Sequence, residues 1–109
     1  MYKLGQLAEN GKIMFNGNEV ADTIIYVNGD YVRKSEAVIS VYDSGFQHGD
    51  GVYEGIRTYG RKVYRLEEHL KRLYESCYTL GIDVGKTKEE LTEIVKELIR
   101  RNIDAGFHD

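Results

Sequence analysis

The run Phe46-Gln47-His48-Gly49-Asp50-Gly51-Val52-Tyr53-Glu54-Gly55-Ile56-Arg57 sets a histidine, two carboxylates, a tyrosine and a guanidinium on a glycine-rich stretch. Further on, His69-Leu70-Lys71-Arg72-Leu73 adds a second histidine and a second arginine. A guanidinium such as that of Arg72 can grip a phosphate through two parallel hydrogen bonds. It can equally pair with Glu68 or Glu75 on its own helix. Gly49, Gly51 and Gly55 let backbone approach a ligand closely, or simply let the chain turn into a strand. Tyr53 and Arg57 fall on one face of that strand, where a hydroxyl and a positive charge suit a carboxylate. A cross-strand pair with an acid would satisfy Arg57 as well. His48 beside Asp50 has the composition of a general base, or of an ordinary polar loop. The histidines show no metal-ligand spacing, and one cysteine cannot build a structural zinc site.

These residues need elements to position them. Lys12-Ile13-Met14-Phe15 reads as a short strand, followed by the turn signal Asn16-Gly17-Asn18. Thr23–Val27 is β-branched and aromatic, Asn28-Gly29-Asp30 is a tight hairpin turn, and Tyr31–Lys34 returns as the partner strand. A further strand is expected over Val38–Val41, then a loop over Tyr42–Gly51, then a strand over Val52–Tyr59. That last strand alternates: Val52, Glu54, Ile56 and Thr58 share one face, and Tyr53, Gly55, Arg57 and Tyr59 share the other. Gly60-Arg61 turns the chain, and Lys62–Arg65 pairs back.

The periodicity predicts a helix over Leu66–Leu80, with Leu66, Leu70, Leu73, Cys77 and Leu80 as its apolar stripe. Arg65, His69, Arg72 and Ser76 line one flank of that stripe, a place that allows Arg72 either partial burial or a surface ion pair. Gly81 ends the helix. Thr87-Lys88-Glu89-Glu90 is a capping box opening a second helix, which buries Leu91, Ile94, Val95, Leu98 and Ile99 and ends near Ile103. Strands first and helices after predict an α+β fold: an antiparallel sheet of hairpins covered by two helices. Residues 1–22 read as an N-terminal extension and 23–109 as the domain.

The 109 residues fit one domain with one core, and 41% hydrophobic with 30% charged residues is a globular composition. A net charge of −3 and a pI of about 5.6 argue against a nucleic-acid or anionic-membrane partner. No apolar run approaches the ~18 residues that would span a bilayer. The single cysteine, Cys77, reads as a small core residue and makes a reducing cytoplasm the expected compartment.

Taken in order, the hairpin with Val27-Asn28-Gly29, Gly-Asp-Gly-Val-Tyr-Glu-Gly-Ile-Arg, the second hairpin and Glu-His-Leu-Lys-Arg-Leu resemble the amino-terminal domain of the fold-type IV aminotransferases, over roughly Ile24 to Ile103. The resemblance implies pyridoxal 5′-phosphate as cofactor, an amino acid and a 2-oxo acid as substrates, and a homo-oligomer with sites at the subunit boundary. It implies that Arg72 binds the cofactor phosphate, that Tyr53 and Gly55 line the substrate side-chain pocket, and that Arg57 shapes its charge. His48 falls where the family usually has an aromatic reaching into the partner subunit's site, a departure from the family's pattern.

Glu54-Gly55-Ile56-Arg57 is similar to the branched-chain type. D-amino-acid aminotransferases usually lack the Gly-Ile-Arg, and aminodeoxychorismate lyases usually carry threonines there. None of the lysines matches the family's Schiff-base position, so no catalytic residue is assigned here. The resemblance puts that lysine in a further domain, beyond Asp109, and the expectation is a fragment inactive by itself. The alternative in another class is a noncatalytic dimerisation module.

Overall fold

The computed structural model describes the backbone of residues 6–7, 12–15 and 18–107, and side chains from 21 to 107. The elements run β1 (Gln6–Leu7), β2 (Lys12–Phe15), β3 (Asn18–Ala21), β4 (Ile24–Val27), β5 (Asp30–Arg33), a single 3₁₀ turn (Lys34–Glu36), α1 (Ser44–His48), β6 (Thr58–Tyr59), β7 (Lys62–Val63), α2 (Leu66–Leu80) and α3 (Lys88–Asp104). The α+β class therefore holds. Its strands form three separate antiparallel ladders, β1-β2-β3, β4-β5 and β6-β7. The short strand expected at Lys12–Phe15 is present. The turn at Asn16 and Gly17 lies outside the described residues, as does His108.

Two hairpins follow from turn chemistry. Val27 pairs with Asp30 across Asn28-Gly29, whose φ values of 51° and 88° match the twist of the flanking strands. Gly60 and Arg61, at 54° and 68°, make the same two-residue turn between Tyr59 and Lys62. The return strand is shorter than Lys62–Arg65, because Arg65 itself adopts φ 52° to start α2.

Both long helices match their predicted spans to within a residue. Gly81 at φ 72° closes α2: the Ile82 N–H donates to Cys77 O at 2.8 Å, and the Gly81 N–H donates to Tyr78 O at 3.2 Å. At the start of α3, Thr87 Oγ1 accepts from the Glu90 N–H at 3.0 Å, and the Glu90 carboxylate accepts in return from the Thr87 N–H.

Leu70 and Cys77 of α2 are buried at 3% and 4% exposure, and α3 turns its apolar stripe toward the same centre. That stripe is only half-buried. An open hollow of about 470 Å³, with Val63, Leu66, Ile99 and Ile103 in its wall, remains between β7 and the two helices. Leu80, expected in the stripe of α2, is instead exposed at the last position of the helix before Gly81.

Polar groups dock α3 onto the β4–β5 hairpin. Asn102 Oδ1 accepts from the Ile24 N–H at 2.8 Å, while its Nδ2 donates to Ile24 O at 2.9 Å and Leu98 O at 3.0 Å. The Tyr26 and Tyr31 rings meet edge-on across the hairpin, and the Arg101 guanidinium lies over Tyr31, 4.0 Å from its centroid. Asp22, buried, accepts from the Ser35 N–H and hydroxyl at 2.9 and 3.2 Å, which ties the entry to β4 to the exit from β5. No helix among the described residues is long and apolar enough to cross a membrane.

Candidate functional site

Two segments expected as strands differ in the structure. Val38–Val41 forms no ladder among the described residues, and its apolar side chains are exposed. Within Val52–Tyr59 only Thr58 and Tyr59 pair among the described residues, with Val63 and Lys62. Composition gave these segments strand preference, but pairing needs a neighbour that composition does not supply. The alternation of Val52–Tyr59 is nevertheless real: Val52, Glu54, Ile56 and Thr58 are half-buried, and Tyr53, Gly55, Arg57 and Tyr59 are exposed. The loop over Tyr42–Gly51 contains α1. Asp43 accepts from the Phe46 N–H at 3.0 Å to start it, and Gly49 at φ 72° ends it.

The half-buried face of this extended segment lies against α2, and Glu54 is where they meet. One of its oxygens, Oε1, accepts from Arg72 Nη2 at 2.7 Å and lies 2.7 Å from His69 Nδ1. Its other oxygen accepts from Arg72 Nε at 2.9 Å. The Arg72 guanidinium first, and the His69 ring second, hold the Glu54 carboxyl at about 2, well below its ordinary range. The carboxylate in turn raises the Arg72 pKa still further. An ionised carboxylate has only acceptors, so His69 must donate from Nδ1. The 3.5 Å separation of His69 Nδ1 from Arg72 Nη2 is then two donors sharing one oxygen, not a bond between them.

Arg72 is therefore neither partly buried nor paired with Glu68 or Glu75. Its side chain is 65% exposed, and its partner comes from another element. The flank position beside the apolar stripe left its tip outside, where the half-buried Glu54 reaches out to it.

None of the remaining predicted residues hydrogen-bonds to this cluster through its side chain among the described residues. Tyr53 projects fully into solvent. Gly55 has no atom within 4 Å of where a Cβ would stand. Arg57 is exposed and makes no ion pair among the described residues, while its carbonyl accepts from the Tyr64 N–H at 2.8 Å. A shallow hollow of about 410 Å³ lies between Gly51, Val52 and Tyr53 on one side and Ser76, Thr79 and Leu80 on the other, one helical turn beyond Arg72. His48 ends α1, exposed. Asp50 accepts from Ser44 Oγ at 2.8 Å and makes no bond with His48, so the histidine–carboxylate pair read from their adjacency is not formed.

Sequence reasoning missed Glu54 and His69 as members of the site. A signal was present. An acid among Val52, Ile56 and Thr58 on the inward face of an alternating segment requires a cationic or donor partner, and His69 and Arg72 occupy the flank that faces inward on α2.

The family model for class IV amino-transferases matches residues 51–106, which hold this cluster and both long helices. A protein of Methanocaldococcus jannaschii, provisionally named branched-chain-amino-acid aminotransferase, is 49% identical over 78 residues, covering 72% of this chain and 27% of the relative. D-alanine aminotransferase of Staphylococcus epidermidis is 39% identical over 88 residues, covering 79% of this chain and 31% of the relative. The same-named enzyme of Staphylococcus aureus is 40% identical over 83 residues, covering 75% and 29%. The chain thus spans less than a third of the length of these curated relatives. With identities of this size over most of its residues, the chain belongs to the class IV amino-transferases, a family that depends in general on pyridoxal 5′-phosphate.

Proposed function

We propose that this chain is the small domain of a pyridoxal-phosphate-dependent aminotransferase, that Arg72 anchors the cofactor phosphate, and that the substrate pair is a branched-chain amino acid and 2-oxoglutarate. The observation that carries the reading is the state of Arg72. Its guanidinium is exposed, yet fixed on one edge by Glu54. A guanidinium has five N–H groups; Glu54 engages those of Nε and Nη2, and the side chain is 65% exposed. That donor set fits a phosphate, which Arg grips with charge-assisted bonds.

When bound, the cofactor supplies the electron sink for chemistry at the substrate α-carbon. The chain's own residues orient and select. Gly55, with open space where a Cβ would stand, leaves room for a branched side chain beside the Tyr53 ring. Arg57, exposed on the same face, sets the charge at the pocket. His48 and the apolar run Val38–Tyr42 stand clear of the domain's own core, as residues at a subunit boundary would, and fit a homo-oligomer.

The second reading is a D-amino-acid substrate, favoured by the D-alanine aminotransferases among the relatives. Turnover by the full-length protein carrying this domain separates the two. L-valine or L-isoleucine with 2-oxoglutarate is expected to react faster than D-alanine, and the reverse order selects the second reading. Titration of Arg72→Ala with pyridoxal phosphate, followed by absorbance, tests the anchor. Affinity is expected to fall at least about tenfold, since each charge-assisted bond is worth ~1.5–3 kcal/mol. Wild-type affinity would return Arg72 to the status of a surface ion pair.

A further inference from the structure

Glu54 does more than neutralise Arg72. It engages Nε and Nη2, the side-on edge of the guanidinium. Nη1 makes no hydrogen bond among the described residues, so the end-on edge, Nη1 with the outer N–H of Nη2, stays available. An exposed ion pair alone holds its geometry weakly. Here the carboxylate is only 12% exposed and accepts from two residues of a different element. His69, itself 15% exposed, bonds the same Oε1 and so limits rotation of the carboxylate.

We infer that Glu54 and His69 are positioning residues that hold the side-on edge of Arg72 and reserve its end-on edge for two oxygens of a phosphate. This rests on the reading of Arg72 as the phosphate anchor, and adds which edge is used and what fixes it. Because Glu54 cancels the charge of Arg72, net attraction is small and geometry does the selecting. A dianion whose oxygens match the end-on edge is bound, and a chloride ion is not.

The test uses the isotope-labelled 109-residue chain and the side-chain N–H signals of Arg72, followed by NMR during titration with inorganic phosphate. In the wild type the Nε–H is expected to exchange with water at least about tenfold more slowly than in Glu54→Gln, the loss of a charge-assisted bond. Glu54→Ala, which removes both oxygens, should match or exceed that loss. His69→Phe, which removes the second donor, should fall between. Phosphate is expected to move the Nη signals of the wild type while leaving Nε in place, and to move both in Glu54→Gln. Equal Nε exchange in the wild type and Glu54→Gln, or phosphate moving Nε and Nη alike in the wild type, overturns the inference. If Nη ignores phosphate while Nε stays protected by Glu54, the anchor reading fails and the reserved edge fails with it, leaving only the Glu54 clamp.

Discussion

The two halves of this domain solve the same problem differently. In the half built from β4–β5, α2 and α3, caps, turns and the Asn102 side chain satisfy the element ends, and the apolar stripes face one another. In the segment from Val38 to Arg57 the chain is extended or barely helical, and many of its large side chains look outward: Val41 is 64% exposed, Tyr42 81% and Tyr53 91%. This second half carries strand-like alternation with no ladder partner among the described residues, and meets α2 through the charged cluster at Glu54. The difference separates what local chemistry completes from what composition alone does not.

Core substitutions test that contrast most strongly. Leu70→Ala removes the most buried apolar side chain of α2 and is expected to cost about 2–4 kcal/mol in urea denaturation. Val41→Ser, in the outward-facing half, should stay within about 0.5 kcal/mol. If the two cost the same, the comparison is broken, and the Val38–Tyr42 run is packed in solution.

Asn102→Ala comes next. It leaves the half-buried N–H and C=O of Ile24 without their partners and should cost about 1–3 kcal/mol. The Ile24 amide should then exchange with solvent much faster in the variant. Unchanged protection at Ile24 would mean that apolar contacts alone dock α3 on the hairpin.

The smallest effect is expected from the Glu54 cluster, because solvent screens the exposed Arg72. The folded carboxyl sits at about 2 against an ordinary 4.5, so its contribution is fully present above about 4.5 and is lost as pH falls toward 2. Stability of the wild type relative to Glu54→Gln should therefore be flat at neutral pH and shrink across that acid window. A difference that stays constant down to pH 2 would show that the pair forms no bond in solution.

Much of the first half was legible in the sequence. Asn28-Gly29, Gly81 and the Thr87–Glu90 box act within a few residues of themselves, so the residues that signal each turn or cap are the ones that make it. The helical stripes set the spans of α2 and α3, though not the exposure of Leu80, which depends on what covers the end of the helix. The failures share a cause. Val38–Val41 and Val52–Arg57 have strand composition, and a ladder is a property of two segments. α1 is too short to show periodicity, and only Asp43 and Gly49 marked it. Arg72 was singled out as a candidate by its type and place. Its partner was not, because Glu54 is eighteen residues away in the chain and meets it only once the extended segment lies on α2.

Asn102 has a consequence for association. An open strand edge is a template on which another chain can add, and soluble proteins blunt such edges. On β4 the outward N–H and C=O of Ile24 are both taken by one amide side chain, which imitates the neighbouring peptide a further strand would bring. The start of that edge is therefore closed to growth by a residue of α3, so that helix docking and protection against edge-to-edge aggregation are the same event.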